Sequence, residues 1–329
     1  MSAPAVVLCG HGTRHADGAA EFDAVAAQVK ALLPELAISH GFLELSEPLL
    51  SEALQDAVDR GHRRIIVIPC MLFAAGHAKT DIPRLLDAFE RTHPGVEIVY
   101  GKVLGPDPAL LAAAADRLRQ VLPAGDLTDA HLLVIGRGSS DPDANSELAR
   151  IMRLLWEGLG FGWGSVGYFD VTFPHLEPAL DHAARLGYRR LVVFPYLLFT
   201  GVLVRRLREA LAEARRRYPA LDIIEAPYLQ DHPGVAATFA ARVRDALDGD
   251  TAMNCRLCRW RTPILAFGAD HGHDHDHDDH DDHHHDHDDH DHDHGHHPPQ
   301  DHHHHGPGHG PGHPFADHPA GPQGGTRWR

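Results

Sequence analysis

The chain has 329 residues and a formal net charge of -16 at neutral pH, but the charge is unevenly spread. From Asp270 onward 14 Asp face only Arg327 and Arg329, so that end accounts for -12 and the remainder for -4. A nearly neutral body has no broad basic field to recruit nucleic acid, and no stretch reaches the roughly 20 apolar residues of a membrane span.

The length allows two domains of ordinary size, each with its own core. The four Cys, two of them in apolar runs, fit a reducing compartment better than a disulfide framework. The apolar run Ala5–Cys9 is too short for a signal sequence and lacks a basic leader, so a soluble cytoplasmic protein is expected.

In chain order, β-branched runs alternate with Ala/Leu/Arg-rich helical patterns. The first half predicts strands at Ala5–Cys9, Ala37–Leu43, Arg64–Pro69 and Glu97–Tyr100. Helices are predicted between and after them at Ala19–Leu33, Leu49–Arg60, Ile82–Arg91 and Ala109–Leu122. These strands are continuous apolar runs, which suits parallel strands covered on both faces. Strand–helix alternation at this spacing implies right-handed crossovers and a doubly wound α/β sheet. Both periods break at Pro123–Asp129, a Pro/Gly/Asp cluster. A second half follows, with strands near His131–Ile135, Ser165–Phe169, Arg190–Phe194 and Asp222–Glu225. The predicted organisation is an α/β half over 1–124, a second over 130–248, a Cys-containing segment over 249–269 and a tail over 270–329. The tail carries 21 of the 31 His and almost nothing to bury, so it is expected to be disordered without metal.

The second half is a worn copy of the first. Gly10-His11-Gly12 recurs as Gly136-Arg137-Gly138, Phe42-Leu43-Glu44 as Tyr168-Phe169-Asp170, and Ile68-Pro69-Cys70 as Phe194-Pro195-Tyr196, all at one offset of 126 residues. The copy keeps apolar, Gly and Pro positions and so keeps the fold. It loses His11 to Arg137, shortens Glu44 to Asp170 and, past a one-residue deletion, replaces His77 with Val202.

In open parallel sheets ligands sit beyond the carboxyl ends of the strands. His11 follows the first predicted strand, Glu44 closes the second and His77 lies shortly after the third, so two imidazoles and a carboxylate converge. Two nitrogen ligands and one oxygen ligand suit a borderline divalent ion such as Co, Ni, Fe(II) or Zn and leave positions open. A single His at a loop start is also an ordinary polar surface residue; the joint loss of both His from the copy favours the metal reading.

These residues resemble the class II tetrapyrrole chelatases, specifically the long-form sirohydrochlorin cobaltochelatases of the CbiX type. The resemblance spans about 5–247 and rests on Gly10-His11-Gly12-Thr13-Arg14, Phe42-Leu43-Glu44, and Pro69-Cys70-Met71-Leu72-Phe73-Ala74-Ala75-Gly76-His77 followed by Asp81-Ile82-Pro83. It implies two α/β halves facing a cleft that holds the macrocycle, a metal-binding pair at His11 and His77, and an acidic residue near the metal at Glu44. It further implies insertion of Co2+ into sirohydrochlorin in cobalamin biosynthesis, with one His or Glu44 accepting the pyrrole protons. No G-x-x-x-x-G-K-[ST] loop occurs, so the reaction reads as ATP-independent. A substrate rich in carboxylates calls for a cationic rim, and Arg14, Lys79, Arg84, Arg137, Arg205 and Arg206 lie near the relevant loops.

Met253-Asn254-Cys255-Arg256-Leu257-Cys258 matches a Met-x-Cys-x-x-Cys motif that follows the catalytic region in long-form members, where it is associated with an iron–sulfur cluster. Two thiolates supply half of the usual four ligands, so a second chain, as in a homodimer, or non-Cys groups would complete a cluster. Cys9 and Cys70 read as inert core thiols. The His/Asp tail can hold divalent ions loosely and deliver cobalt, or be a solvated segment with incidental affinity. Three rival readings stand beside the first: the same reaction with Fe or Ni, a His-rich metal-storage protein, and a histidine phosphatase. The last fails because Gly10, not Arg, precedes His11.

Overall fold

A computed structural model describes residues 4–122 and 125–251. The elements run β1 (Ala5–Gly10), α1 (Ala16–Leu32), β2 (Ala37–Phe42), α2 (Leu50–Asp59), β3 (Arg64–Pro69), a π-helical turn (His77–Asp81), α3 (Ile82–Thr92), β4 (Glu97–Tyr100) and α4 (Pro108–Arg119). The second half repeats them as β5 (Ala130–Gly136), α5 (Pro142–Leu159), β6 (Trp163–Tyr168), α6 (Leu176–Arg185), β7 (Arg190–Pro195), α7 (Val202–Arg217), β8 (Asp222–Glu225) and α8 (Pro233–Leu247). The helix starts explain themselves locally. Asp107, Asp141 and His232 cap α4, α5 and α8 by accepting a backbone N–H, each with Pro at the first helical position.

Among the described residues all strand pairings are parallel, in two four-stranded sheets ordered β2-β1-β3-β4 and β6-β5-β7-β8. This is the α/β duplication expected from the sequence. Register brings Cys9 opposite both Gly41 and Pro69, so β1, β2 and β3 end level. The strand order reverses between β1 and β3, which makes that crevice the ligand position of a doubly wound sheet.

Alternation along each strand sends side chains to two faces. Val7, Cys9, Ile65 and Val67 pack under α2 and α3; Leu133, Ile135, Leu191 and Val193 pack under α6 and α7. The opposite faces join in one cluster that includes Val6, Leu8, Ile66 and Ile68 of the first sheet and Leu132, Val134, Val192 and Phe194 of the second. Separate cores for the two halves were expected, and the structure corrects that. The last helix of the second half, α8, packs on β3, α1 and α4 of the first. Its face of Val235, Ala236, Phe239, Ala240 and Val243 meets the small face of α4 at Ala113 and Ala114. Arg242 of α8 pins this arrangement by donating to the Leu104 carbonyl at 2.7 Å and to Asp107 at 3.1 Å.

His131 is an ionisable group fully buried on β5, within 2.6 Å of the Ser165 hydroxyl on β6. Burial, helped by the charge of His182, pushes its imidazole down to about 4. The unfolded chain therefore binds a proton there between pH about 6.5 and 4 that the folded chain refuses, and stability falls as pH drops through that window. The contribution reaches about 3 kcal/mol at full extent. His131→Gln should lose less stability than the parent between pH about 7 and about 4.5, measured as the shift of the urea midpoint; equal shifts in both proteins would contradict this account.

Candidate metal-handling site

The loop after β1 is forced against the loop after β2. Gly12 holds φ 104°, and a Cβ there would lie 1.6 Å from the Glu44 carbonyl oxygen, so only glycine fits. Backbone bonds lock the two loops: Leu43 N–H to the Gly10 carbonyl at 2.9 Å and Glu44 N–H to the His11 carbonyl at 3.1 Å. Ser46 adds a reciprocal pair, its hydroxyl accepting from Thr13 N–H at 2.9 Å and donating to the Thr13 carbonyl at 2.8 Å. His11 and Glu44 thus stand side by side, with His11 Nε2 at 3.6 Å from Glu44 Oε1.

The third strand end reaches the same place. Cys70 N–H bonds the Cys9 carbonyl at 2.7 Å, and the chain then enters the π-helical turn, where Ile82 N–H bonds the His77 carbonyl five residues back. Asp81, one turn after His77, takes the Nδ1 proton of His77 in a 2.7 Å bond. That fixes the tautomer and aims the Nε2 lone pair away from Asp81, as a carboxylate behind a metal-ligating His does. His77 Nε2 lies 3.2 Å from His11 Nε2, with the rings edge to face at 88°.

Two nitrogens bound to one ion at about 2.0–2.1 Å, with an angle of about 90–110° between them, stand about 2.9–3.4 Å apart. The observed spacing therefore fits an ion between the imidazoles. Burial, then the charges of His77 and Arg137, lower the pKa of His11 against a smaller opposing pull from Glu44, which keeps its lone pair free near neutrality. Among the described residues no three His, Cys, Asp or Glu side chains form a finished metal site. The imidazole pair is assembled, while the half-exposed Glu44 stands to one side.

His11, Glu44 and His77 are thus brought together as expected. Asp81 was quoted in the sequence motif without a role; its spacing of four residues from His77 on a helical turn was the available signal. Arg137 occupies the position of His11 in the second half, exposed, and close enough for its charge to act on His11. Asp170, the counterpart of Glu44, binds Arg206 at 3.0 and 3.1 Å. By the same repeat alignment Arg206 is the counterpart of Asp81, so the second half carries two guanidiniums where the first carries His11 and Asp81.

Arg14, Arg84 and Arg205 are exposed. Lys79 is not a rim residue, and that expectation is corrected: its ammonium is buried against Asp141 at 2.5 Å and Asp143 at 3.3 Å. Leu45 and Val171, one per half at the same repeat position, hold left-handed backbone at φ 62° and 70° and leave their side chains exposed. Cys9 and Cys70 are buried free thiols, with burial pushing Cys9 up to about 12 and Cys70 up as well. Cys255, Cys258 and the His/Asp tail lie outside the described residues. No helix among the described residues is long and apolar enough to cross a membrane.

Known proteins show the same architecture. A "Sirohydrochlorin cobaltochelatase" of Priestia megaterium is 34% identical over 265 residues, 79% of this chain and 85% of its own length. A "Sirohydrochlorin ferrochelatase" of the same organism is 32% identical over 243 residues, 74% of this chain and 90% of its own. Among solved structures, "SirB from Bacillus subtilis with Fe3+" superposes with a TM-score of 0.68 at 28% identity, covering 75% of this chain and 98% of its own. The CbiX family pattern matches residues 5–121 and again 131–246, one match per half, and this chain is a member of the CbiX family of metal chelatases.

Proposed function

We propose that this chain inserts Co2+ into sirohydrochlorin without ATP. The observation that carries the reading is the 3.2 Å imidazole pair whose second member is held by Asp81 in the tautomer a metal requires. The ion is substrate here. His11 and His77 take it through their Nε2 lone pairs and displace part of its water, and Glu44 offers a third contact. Each insertion frees two pyrrole protons. The Glu44 carboxylate can accept a proton while the imidazoles hold the ion, and His77 Nε2 becomes an acceptor once the ion has left it; both pass their protons on to water.

The second half supplies the complementary charge. Arg137, Arg206 held by Asp170, Arg14, Arg205 and Arg84 suit the peripheral carboxylates of the tetrapyrrole, while exposed Leu45 and Val171 offer apolar contact to its ring. Relatives named for cobalt and for iron both resemble this chain, and imidazole and carboxylate serve either ion, as well as nickel. Cobalt is favoured by the Met-x-Cys-x-x-Cys segment with Cys255 and Cys258 and by the His/Asp tail, which would hold a reserve of ions.

Anaerobic absorbance of sirohydrochlorin mixed with Co2+, Fe2+ or Ni2+ tests the reading. Metal-dependent acceleration should be lost in His11→Ala and His77→Ala, with Co2+ the fastest ion in the parent. No acceleration with any ion would move a metal-storage role to the front. Asp81→Asn keeps the shape but weakens the grip on His77 and should cost about 10–100-fold in rate; parental activity would remove Asp81 from the site. Deleting residues 270–329 should slow insertion only at limiting Co2+, and unchanged kinetics there would end the delivery role.

A further inference from the structure

Lys79 lies two residues after His77, in the same π-helical turn, yet its partners belong to the other half. Its side chain is 3% exposed and that of Asp141 is 1% exposed. Asp141 closes the loop that begins at Arg137, and three further bonds stiffen that loop. Asp141 Oδ1 accepts from Asp143 N–H at 3.0 Å, Asp141 N–H donates to the Ser139 hydroxyl at 3.0 Å, and the Asn145 amide donates to the Ser139 carbonyl at 2.7 Å. On its other side the turn is held by the Tyr100 hydroxyl, which donates to the Ala78 carbonyl at 2.9 Å. The ion pair therefore joins the segment carrying His77 to the segment carrying Arg137.

A pseudo-equivalent grip exists on the opposite side. Glu21 of α1 accepts from Thr200 N–H at 2.7 Å and from the Tyr228 hydroxyl at 2.6 Å, tying the first helix of one half to the loops after the third and fourth strands of the other. That grip contains no cation and touches no residue of the imidazole pair. The Lys79 grip uses one ammonium and two carboxylates where neutral donors suffice in its counterpart. A buried ion pair adds little net stability compared with apolar packing, but it demands one geometry.

We infer that Lys79 is a positioning residue: its buried ion pair with Asp141 and Asp143 sets where His77 stands relative to His11 and Arg137. The second half, which has no His of its own at the site, thereby fixes the geometry at which the first half holds a divalent cation. This inference rests on His11 and His77 being the metal-binding pair.

The test uses the full-length protein and Co2+ alone as probe. The visible ligand-field spectrum of the His11→Ala/His77→Ala double variant is subtracted from each titration, which removes ions bound elsewhere, the tail included. Lys79→Met should weaken Co2+ binding in the difference spectrum by about 10-fold or more and shift its band, while far-UV circular dichroism stays that of the parent. Lys79→Arg, which keeps the charge, should recover part of the loss. Asp143→Asn keeps the Lys79–Asp141 bond and should fold; it should weaken Co2+ binding by a few-fold, and it decides the matter if Lys79→Met does not fold. Parental Co2+ affinity and band shape in folded Lys79→Met, or in Asp143→Asn where that variant alone folds, would overturn the inference and leave the imidazole pair standing. An empty difference spectrum in the parent would instead overturn the imidazole pair as a metal site, and this inference with it.

Discussion

A parallel sheet has two apolar faces, and both must be covered. Here two four-stranded sheets share a single central cluster, and α8 of the second half closes over β3 of the first. Neither half can shift without disturbing the packing of the other, because the interior is close-packed and does not deform continuously. The loops at the carboxyl ends of both sheets inherit that rigidity. Polar pins such as Arg242 on the Leu104 carbonyl reinforce a position that apolar packing has already chosen.

Duplication gives the chain two crevices of one geometry and lets their chemistry diverge. In the first, level strand ends bring His11, Glu44 and His77 together with Asp81 behind. In the second, the same backbone positions carry Arg137, Asp170, Val202 and Arg206. Gly12 and Gly138 show how closely the backbones match: each has positive φ, and at each a Cβ would strike the carbonyl oxygen of the residue facing it, Glu44 or Asp170. An imidazole pair in one crevice faces a pair of guanidiniums in the other with no change of fold. A metal and a polyanionic macrocycle are oppositely charged partners, so a duplicated frame with inverted charge is well suited to hold both.

Much of this was legible in the residues. The bounds of β3, β4 and β8 are those read from their β-branched runs; β3 is buried along five of its six residues, while β4 and β8 lie at the sheet edges, where a charged residue marks where each begins. Trp163–Tyr168 begins two residues before its prediction because Gly164 masks the strand pattern, a glycine offering no side chain to count. His11, Glu44 and His77 were found through what the copy lacks. The shared core was not legible, because the apolar face of α8 does not say which sheet it will cover. Lys79 misled for a related reason. Lysine two residues after a loop histidine reads as a surface cation, and only the folded chain shows Asp141 and Asp143 arriving from more than sixty positions away to bury it.

The two imidazoles are also unequal. His77 has a carboxylate on its far nitrogen, which fixes the ring and aims the nitrogen that faces His11. His11 has no carboxylate bonded behind it in this way; burial, then the charges of His77 and Arg137, disfavour a proton on it, and the same surroundings disfavour a bound cation. A resident metal site gains from four strong ligands and a closed shell. An ion that must be given up needs enough donor strength to lose its water and a weak side from which to leave. On the proposed reading His11 and the exposed Glu44 form that weak side, next to the half that carries Arg137, where the macrocycle and its carboxylates would lie.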